Sequence, residues 1–147
     1  MSIENPQTAS TACLCNVLRQ ASRAVSRLYD EELRGVGLRT TQYSLLSLLG
    51  RAGEVRQRDL SARTLLDETT LTRALRPLRE GGWVSIRAGE DRREKLVAIT
   101  AAGVAKLEQA RPAWERAQQR MRSLLREGVW LELMAVLPEV ARLSAEA

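Results

Sequence analysis

A chain of 147 residues, 44% apolar and 28% charged, is the size of one globular domain; with three Trp, two Tyr and no Phe, its core has to be chiefly Leu, Val and Ala. The absence of His excludes Ser-His-Asp and Cys-His catalytic units and His-containing metal sites, and no stretch approaches the roughly 18 apolar residues of a membrane span, so we expect a cytoplasmic protein that is not an enzyme and has no cofactor. A net charge of +5, carried almost wholly by Arg, favours a polyanionic partner, with a GC-rich genome as the plainer source of the same bias.

Residues 1–9 are polar, contain Pro6 and show no periodicity, which reads as a loose tail. From about Ser10 to Arg34 the spacing predicts a helix: Leu14, Leu18, Ala21, Val25 and Leu28 form one apolar stripe, and Arg19, Arg23 and Arg27 a basic strip. Gly35 and Gly37 end it. Thr40 or Thr41 is placed to cap a second helix, whose body from Gln42 is apolar nearly all round and therefore a core element closed by Gly53. A short link at 54–56 leads to a two-turn helix at 57–63, and Asp67 is the expected cap of a helix over 68–80 that Gly81 and Gly82 stop.

Two β-type runs at 83–87 and 95–99, separated by a charged turn, predict a hairpin. Thr100 then caps a long helix in which Pro112 should make a bend. Gly128 separates a last helix carrying Leu133, Met134, Leu137, Val140 and Leu143, which Pro138 should kink or split.

On a wheel of 100° per residue, Thr69, Thr72, Arg73 and Arg76 share one face of the 68–80 helix, and Leu71, Leu75 and Leu78 lie nearly opposite. A polar, donor-rich face preceded by a two-turn helix and followed by a basic hairpin has the order of a winged helix-turn-helix, whose second helix enters the major groove. Thr70 joins the candidate DNA-binding residues from the same helix. The hairpin tip adds Asp91, Arg92 and Arg93, although its three cations among three carboxylates also suit a solvated turn laced with ion pairs.

The run Leu71-Thr-Arg-Ala-Leu-Arg-Pro-Leu-Arg-Glu-Gly-Gly-Trp-Val, then Asp91-Arg-Arg and Val97-Ala-Ile-Thr-Ala-Ala-Gly, closely resembles the MarR (multiple-antibiotic-resistance regulator) family. The resemblance covers roughly residues 12–143 and is most specific at Asp91 and Arg93, with Thr100 and Gly103 at the expected distance downstream. It implies a single domain over 1–147, mainly α with a small β-hairpin wing: a winged helix-turn-helix lobe at about 40–99 between dimerisation helices at about 10–34 and 100–145. It also implies a homodimer on a palindromic operator in double-stranded DNA. Arg93 would enter the minor groove with Asp91 orienting it, and the regulator, in most cases a repressor, would be released by a small-molecule inducer.

A second resemblance is to the organic-hydroperoxide-resistance regulators, a MarR subgroup with a peroxide-sensing Cys on the first helix. Cys15, Ala21, Ser22, Arg23, Tyr29, Gln42 and Tyr43 sit at similar spacings, while Arg19 and Thr40 stand where that subgroup has Tyr. It implies a redox sensor at Cys15 that answers a hydroperoxide; the plainer reading of a free Cys is a small buried hydrophobe. Cys13 and Cys15, two apart on a helix, should point away from each other and not bridge. Two other functions remain open on sequence: a cysteine-dependent redox protein, and a helical interaction protein that binds no DNA.

Overall fold

A computed structural model describes residues 12–147. The expected tail at 1–9 and the first two residues of the expected first helix lie outside the described residues. In chain order the elements are α1 (Leu14–Leu33), a single 3-10 turn (Arg34–Val36), α2 (Thr40–Ala52), β1 (Val55–Arg56), α3 (Gln57–Thr64), α4 (Glu68–Glu80), β2 (Val84–Ala88), β3 (Lys95–Ile99), α5 (Ala101–Leu124) and α6 (Val129–Glu146).

Local chemistry sets most of the boundaries. Gly53, at φ 71°, closes α2 by donating its N–H to the Leu49 carbonyl at 3.0 Å. Thr100 caps α5, its Oγ1 accepting the Gly103 N–H at 3.0 Å. At the start of α2 the expectation of a Thr40 or Thr41 cap is corrected: Arg39 holds the cap position and Thr40 is the first helical residue. Asp30 of α1 reaches across to accept the Thr40 N–H at 2.7 Å, and Gln42 Oε1 accepts the Arg39 N–H at 2.9 Å, so no threonine oxygen is needed.

The two-stranded hairpin becomes a three-stranded antiparallel sheet in the order β1-β3-β2. β1 is only two residues, Val55 opposite Val97 and Arg56 opposite Leu96, and β2 pairs with β3 from Val84–Ile99 to Ala88–Lys95. Trp83, expected in the strand, instead donates its N–H to the Leu78 carbonyl at 2.9 Å and so completes the C-terminal turn of α4. Both α5 and α6 run through their prolines as single helices, so Pro138 does not split α6. A proline removes one N–H donor, and the bonds of the flanking turns carry the helix across the gap.

The core is aliphatic. Leu33, Leu46 and Leu49 meet Leu60, Leu71, Leu75, Leu78 and Val97 with no exposure at all, and Tyr43 stacks on Trp114 with ring centroids 5.7 Å apart. Each such leucine contributes about 1.5–3 kcal/mol by leaving water. α5 starts against the sheet at one tight point: a Cβ built on Gly103 would lie 2.1 Å from the Trp83 carbonyl oxygen, so only glycine fits there. Farther along, α5 packs on α1, where Arg116 pairs with Glu32 and Arg120 with Glu31.

α6 is different. It buries no residue, and it exposes Leu131, Met134, Val136, Leu137 and Leu143. Its junction with α5 turns at Gly128, φ 83°, and is bridged by the Arg122 guanidinium 4.7 Å over the Trp130 ring. Among the described residues, no helix is long and apolar enough to cross a membrane.

Candidate nucleic-acid interface

α4 is held by its two faces in different ways. Leu71, Leu75 and Leu78 are wholly buried, so rotation about the helix axis is fixed by the core. Its first turn is fixed by Asp67, whose Oδ1 accepts the Thr70 N–H at 2.8 Å and whose Oδ2 accepts the Thr70 hydroxyl at 2.7 Å. These bonds, the backbone one foremost, hold the Asp67 carboxyl below its usual range. α3 and α4 are joined through Leu65 in the left-handed region, φ 57°.

Thr69, Thr72, Arg73 and Arg76, on one outward face of α4, are all exposed, as is Arg79 one turn beyond Arg76. The wing lies beside this face and makes two clefts with it. In one, Thr72, Arg73, Arg76 and Arg79 face Arg87, Arg92 and Lys95 of the wing. In the other, Thr69, Thr72 and Arg73 face Asp91, Arg93 and Lys95, with Arg56 and Arg58 at the near end. The structure thus brings Thr69, Thr72, Arg73, Arg76, Asp91, Arg92 and Arg93 around two adjoining basic grooves. Thr70 lines neither, and its hydroxyl is used within the cap.

The wing's charges divide into those that build it and those left over. Arg87 grips Glu54 with two bonds, 2.9 and 2.6 Å, tying β2 to the residue before β1. That grip raises the Arg87 pKa, through hydrogen bonding first and charge second, and lowers that of Glu54, where the hydrogen bond outweighs desolvation and charge adds less. Arg56 pairs with Glu94 at 3.5 Å and Arg76 with Glu80 at 2.9 Å. Asp91 Oδ1 accepts the backbone N–H of Arg93 at 3.0 Å, so the acid orders the turn that carries Arg93 rather than gripping its guanidinium. Arg73, Arg92 and Arg93 make no ion pair among the described residues. Arg79, in the first groove, makes none either, and such guanidinium groups without a carboxylate partner among the described residues are suited to phosphates and base edges.

Sequence reasoning missed Gln57, Arg58, Arg79, Arg87 and Lys95 as groove residues. Arg79 carried a signal, being one turn beyond Arg76. Gln57 and Arg58 carried none, because they reach the grooves only through the packing of α3 on α4.

Cys13 and Cys15 are free and exposed. Within this chain Cys15 is therefore not a buried hydrophobe, and Cys13 occupies the cap position before α1 rather than its interior. Cys15 lines a shallow apolar cleft with Leu14 and Leu18 of α1 and Val140 of α6. No cluster of metal-ligating side chains occurs among the described residues.

Residues 36–94 match the sequence model of the MarR family. Over 96 residues, 65% of this chain and 70% of the relative, the sequence is 34% identical to the uncharacterized HTH-type transcriptional regulator YwoH of Bacillus subtilis. Among solved structures, the M. tuberculosis transcriptional regulator MosR in complex with DNA aligns with a TM-score of 0.78 at 33% identity, covering 90% of this chain and 98% of that one. A cysteine-to-serine variant of MarR from E. coli complexed with operator DNA aligns at 0.76 and 25% identity, covering 86% and 92%. These similarities are to transcriptional regulators rather than enzymes, and together with the helix-turn-helix and its wing they show that the chain belongs to the MarR family of transcriptional regulators.

Proposed function

We propose that the protein binds a palindromic operator in double-stranded DNA as a homodimer and represses until a small ligand or the oxidation of Cys15 releases it. The observation that carries the DNA reading is the pair of basic grooves between α4 and the wing, where Arg73, Arg92 and Arg93 have no ion-pair partner among the described residues. α4 is the helix for the major groove. Arg93, at the wing tip, enters the adjacent minor groove, whose narrow stretches concentrate negative potential. The solved MosR and MarR complexes with DNA support this reading.

The homodimer reading rests on α6, which buries nothing and presents a long apolar face beside the equally exposed Leu14 and Val17 of α1. The lobe at about 40–99 then does the reading and the helices at about 10–34 and 100–145 set the spacing of two half-sites. Cys15 sits where those helices meet. A hydroperoxide that passes one oxygen to its thiolate leaves a sulfenate and the alcohol, and puts polarity into the contact that sets this spacing.

The test is a gel-shift titration of wild type, Arg73→Ala and Arg93→Ala over a range of salt, followed by operator release under peroxide for wild type and Cys15→Ser. Each lost phosphate contact should lower the salt slope by about 0.9. Unchanged binding by both arginine variants would remove the interface from this face. Peroxide release that persists in Cys15→Ser would leave a small ligand as the signal.

A further inference from the structure

Gln57 opens α3 and belongs to no part of the interface described so far except its position in both grooves. Its Nε2 lies 2.9 Å from Thr72 Oγ1. Thr72 Oγ1 in turn lies 2.8 Å from the Glu68 carbonyl oxygen, one turn earlier on α4. A hydroxyl has one proton, and a carbonyl can only accept it. The Thr72 proton is therefore spent on Glu68, Thr72 Oγ1 must accept from Gln57, and the orientation of the Gln57 amide is set: nitrogen towards Thr72.

This bond network determines what each side chain has left for a ligand. Thr72 is exposed but has no proton to donate, so its methyl is the chief feature it offers. Gln57 keeps its second N–H and its Oε1, which receives no hydrogen bond among the described residues. A donor and an acceptor side by side on one amide match the N7 acceptor and N6 donor of adenine, and a methyl matches the C5-methyl of thymine. These three features occur together in the major groove on an A·T pair and on no other pair, with the thymine O4 between the donor and the methyl.

We propose that Gln57 and Thr72 act as one unit that reads an A·T pair in each half-site, Gln57 by a bidentate contact to adenine and Thr72 through its methyl to thymine. This rests on the reading of α4 as the major-groove helix. It adds Gln57, from outside that helix, as a specificity-determining residue, and it makes Thr72 an apolar reader rather than a hydrogen-bonding one.

The experiment selects sites from random duplexes with the full-length protein, then measures affinity for the selected site with each A·T pair altered in turn. Wild type, Gln57→Ala, Thr72→Val and Thr72→Ser are compared on duplexes carrying G·C at the position, 7-deazaadenine in place of adenine, or deoxyuridine in place of thymidine. At one pair per half-site, wild type should prefer A·T over G·C by about 5- to 150-fold. Gln57→Ala should lose that preference and become indifferent to 7-deazaadenine. Deoxyuridine should weaken wild type and Thr72→Val, which keep a methyl, and leave Thr72→Ser unaffected. Thermal unfolding establishes that each variant is folded, and Gln57→Met repeats the first arm if the alanine variant is not. Gln57→Ala with every base preference intact would reduce the bond to a structural brace and overturn the proposal. Sensitivity to deoxyuridine that survives in Thr72→Ser and vanishes in Thr72→Val would also overturn it. Wild type that selects no duplex would overturn the DNA-binding reading itself, and the pair with it.

Discussion

α4 and α6 are both amphipathic helices containing an internal proline, yet their apolar faces end up differently. α4 buries Leu71, Leu75 and Leu78 completely against α2, α3 and the sheet, while α6 leaves Leu131 73% and Met134 56% exposed. The lobe that contains α4 closes a core within one chain, together with Leu33 of α1 and Ala110 and Ala113 of α5. α6 cannot, because α1 meets it only across shallow, open clefts. One region is stable by its own packing; the other has a stripe that only a further surface can cover.

The largest effect should follow from removing α6. Deletion from Gly128 onward should abolish the proposed dimer, and sedimentation should find aggregate or poorly folded monomer; a soluble, folded monomer would move the proposed interface elsewhere. Next comes a matched pair. Leu75→Ala should cost about 2–5 kcal/mol in chemical denaturation at any protein concentration. Leu137→Ala should instead change stability in a way that depends on protein concentration, since it weakens only the association. If both variants behave alike, the contrast between the two regions is wrong.

Gly103→Ala sharpens the comparison within the self-contained part. The new Cβ would press on the Trp83 carbonyl, and the shift needed to admit it should cost about 1–3 kcal/mol, read as a lower unfolding midpoint.

The smallest effect is the pH dependence at Asp67. Its folded pKa is lowered, so its stabilising share is complete above the unfolded value, close to 3.8, and is lost as pH falls through the lower folded value. Wild type should therefore lose more stability than Asp67→Asn on acidification from about pH 5 downwards. Equal slopes for the two would remove the carboxylate from the account of the cap.

The sequence was legible wherever a residue acts on its own neighbours. Asp67, Thr100, Gly53 and the Gly81–Gly82 pair mark helix ends through bonds to residues within four positions, and the buried and outward faces of α4 follow from its own repeat. It was illegible where the partner is distant. Val55 and Arg56 become a strand only because β3 lies beside them, and Thr40 gives up its cap to Asp30, ten residues earlier in another helix. Gln57 acquires meaning from Thr72, fifteen residues later, and no local pattern joins them. The exposure of Cys15 belongs to the same class, since it depends on what α6 does not cover within one chain.

Gly103 has a consequence beyond stability. Where side chains separate two elements, a small displacement of one is absorbed by rotamer changes and dies out within a few ångströms. At Gly103 no side chain intervenes between α5 and the Trp83 carbonyl, and the next link, Thr100, bonds the Gly82 carbonyl through its hydroxyl and the Trp83 carbonyl through its N–H. Apart from the short Thr100 hydroxyl and the flanking Ile99 side chain, the joint is backbone on backbone. A tilt of the long helix would be passed directly to the base of the wing, so in the proposed dimer the distance between two wings would be geared to the angle between two helices.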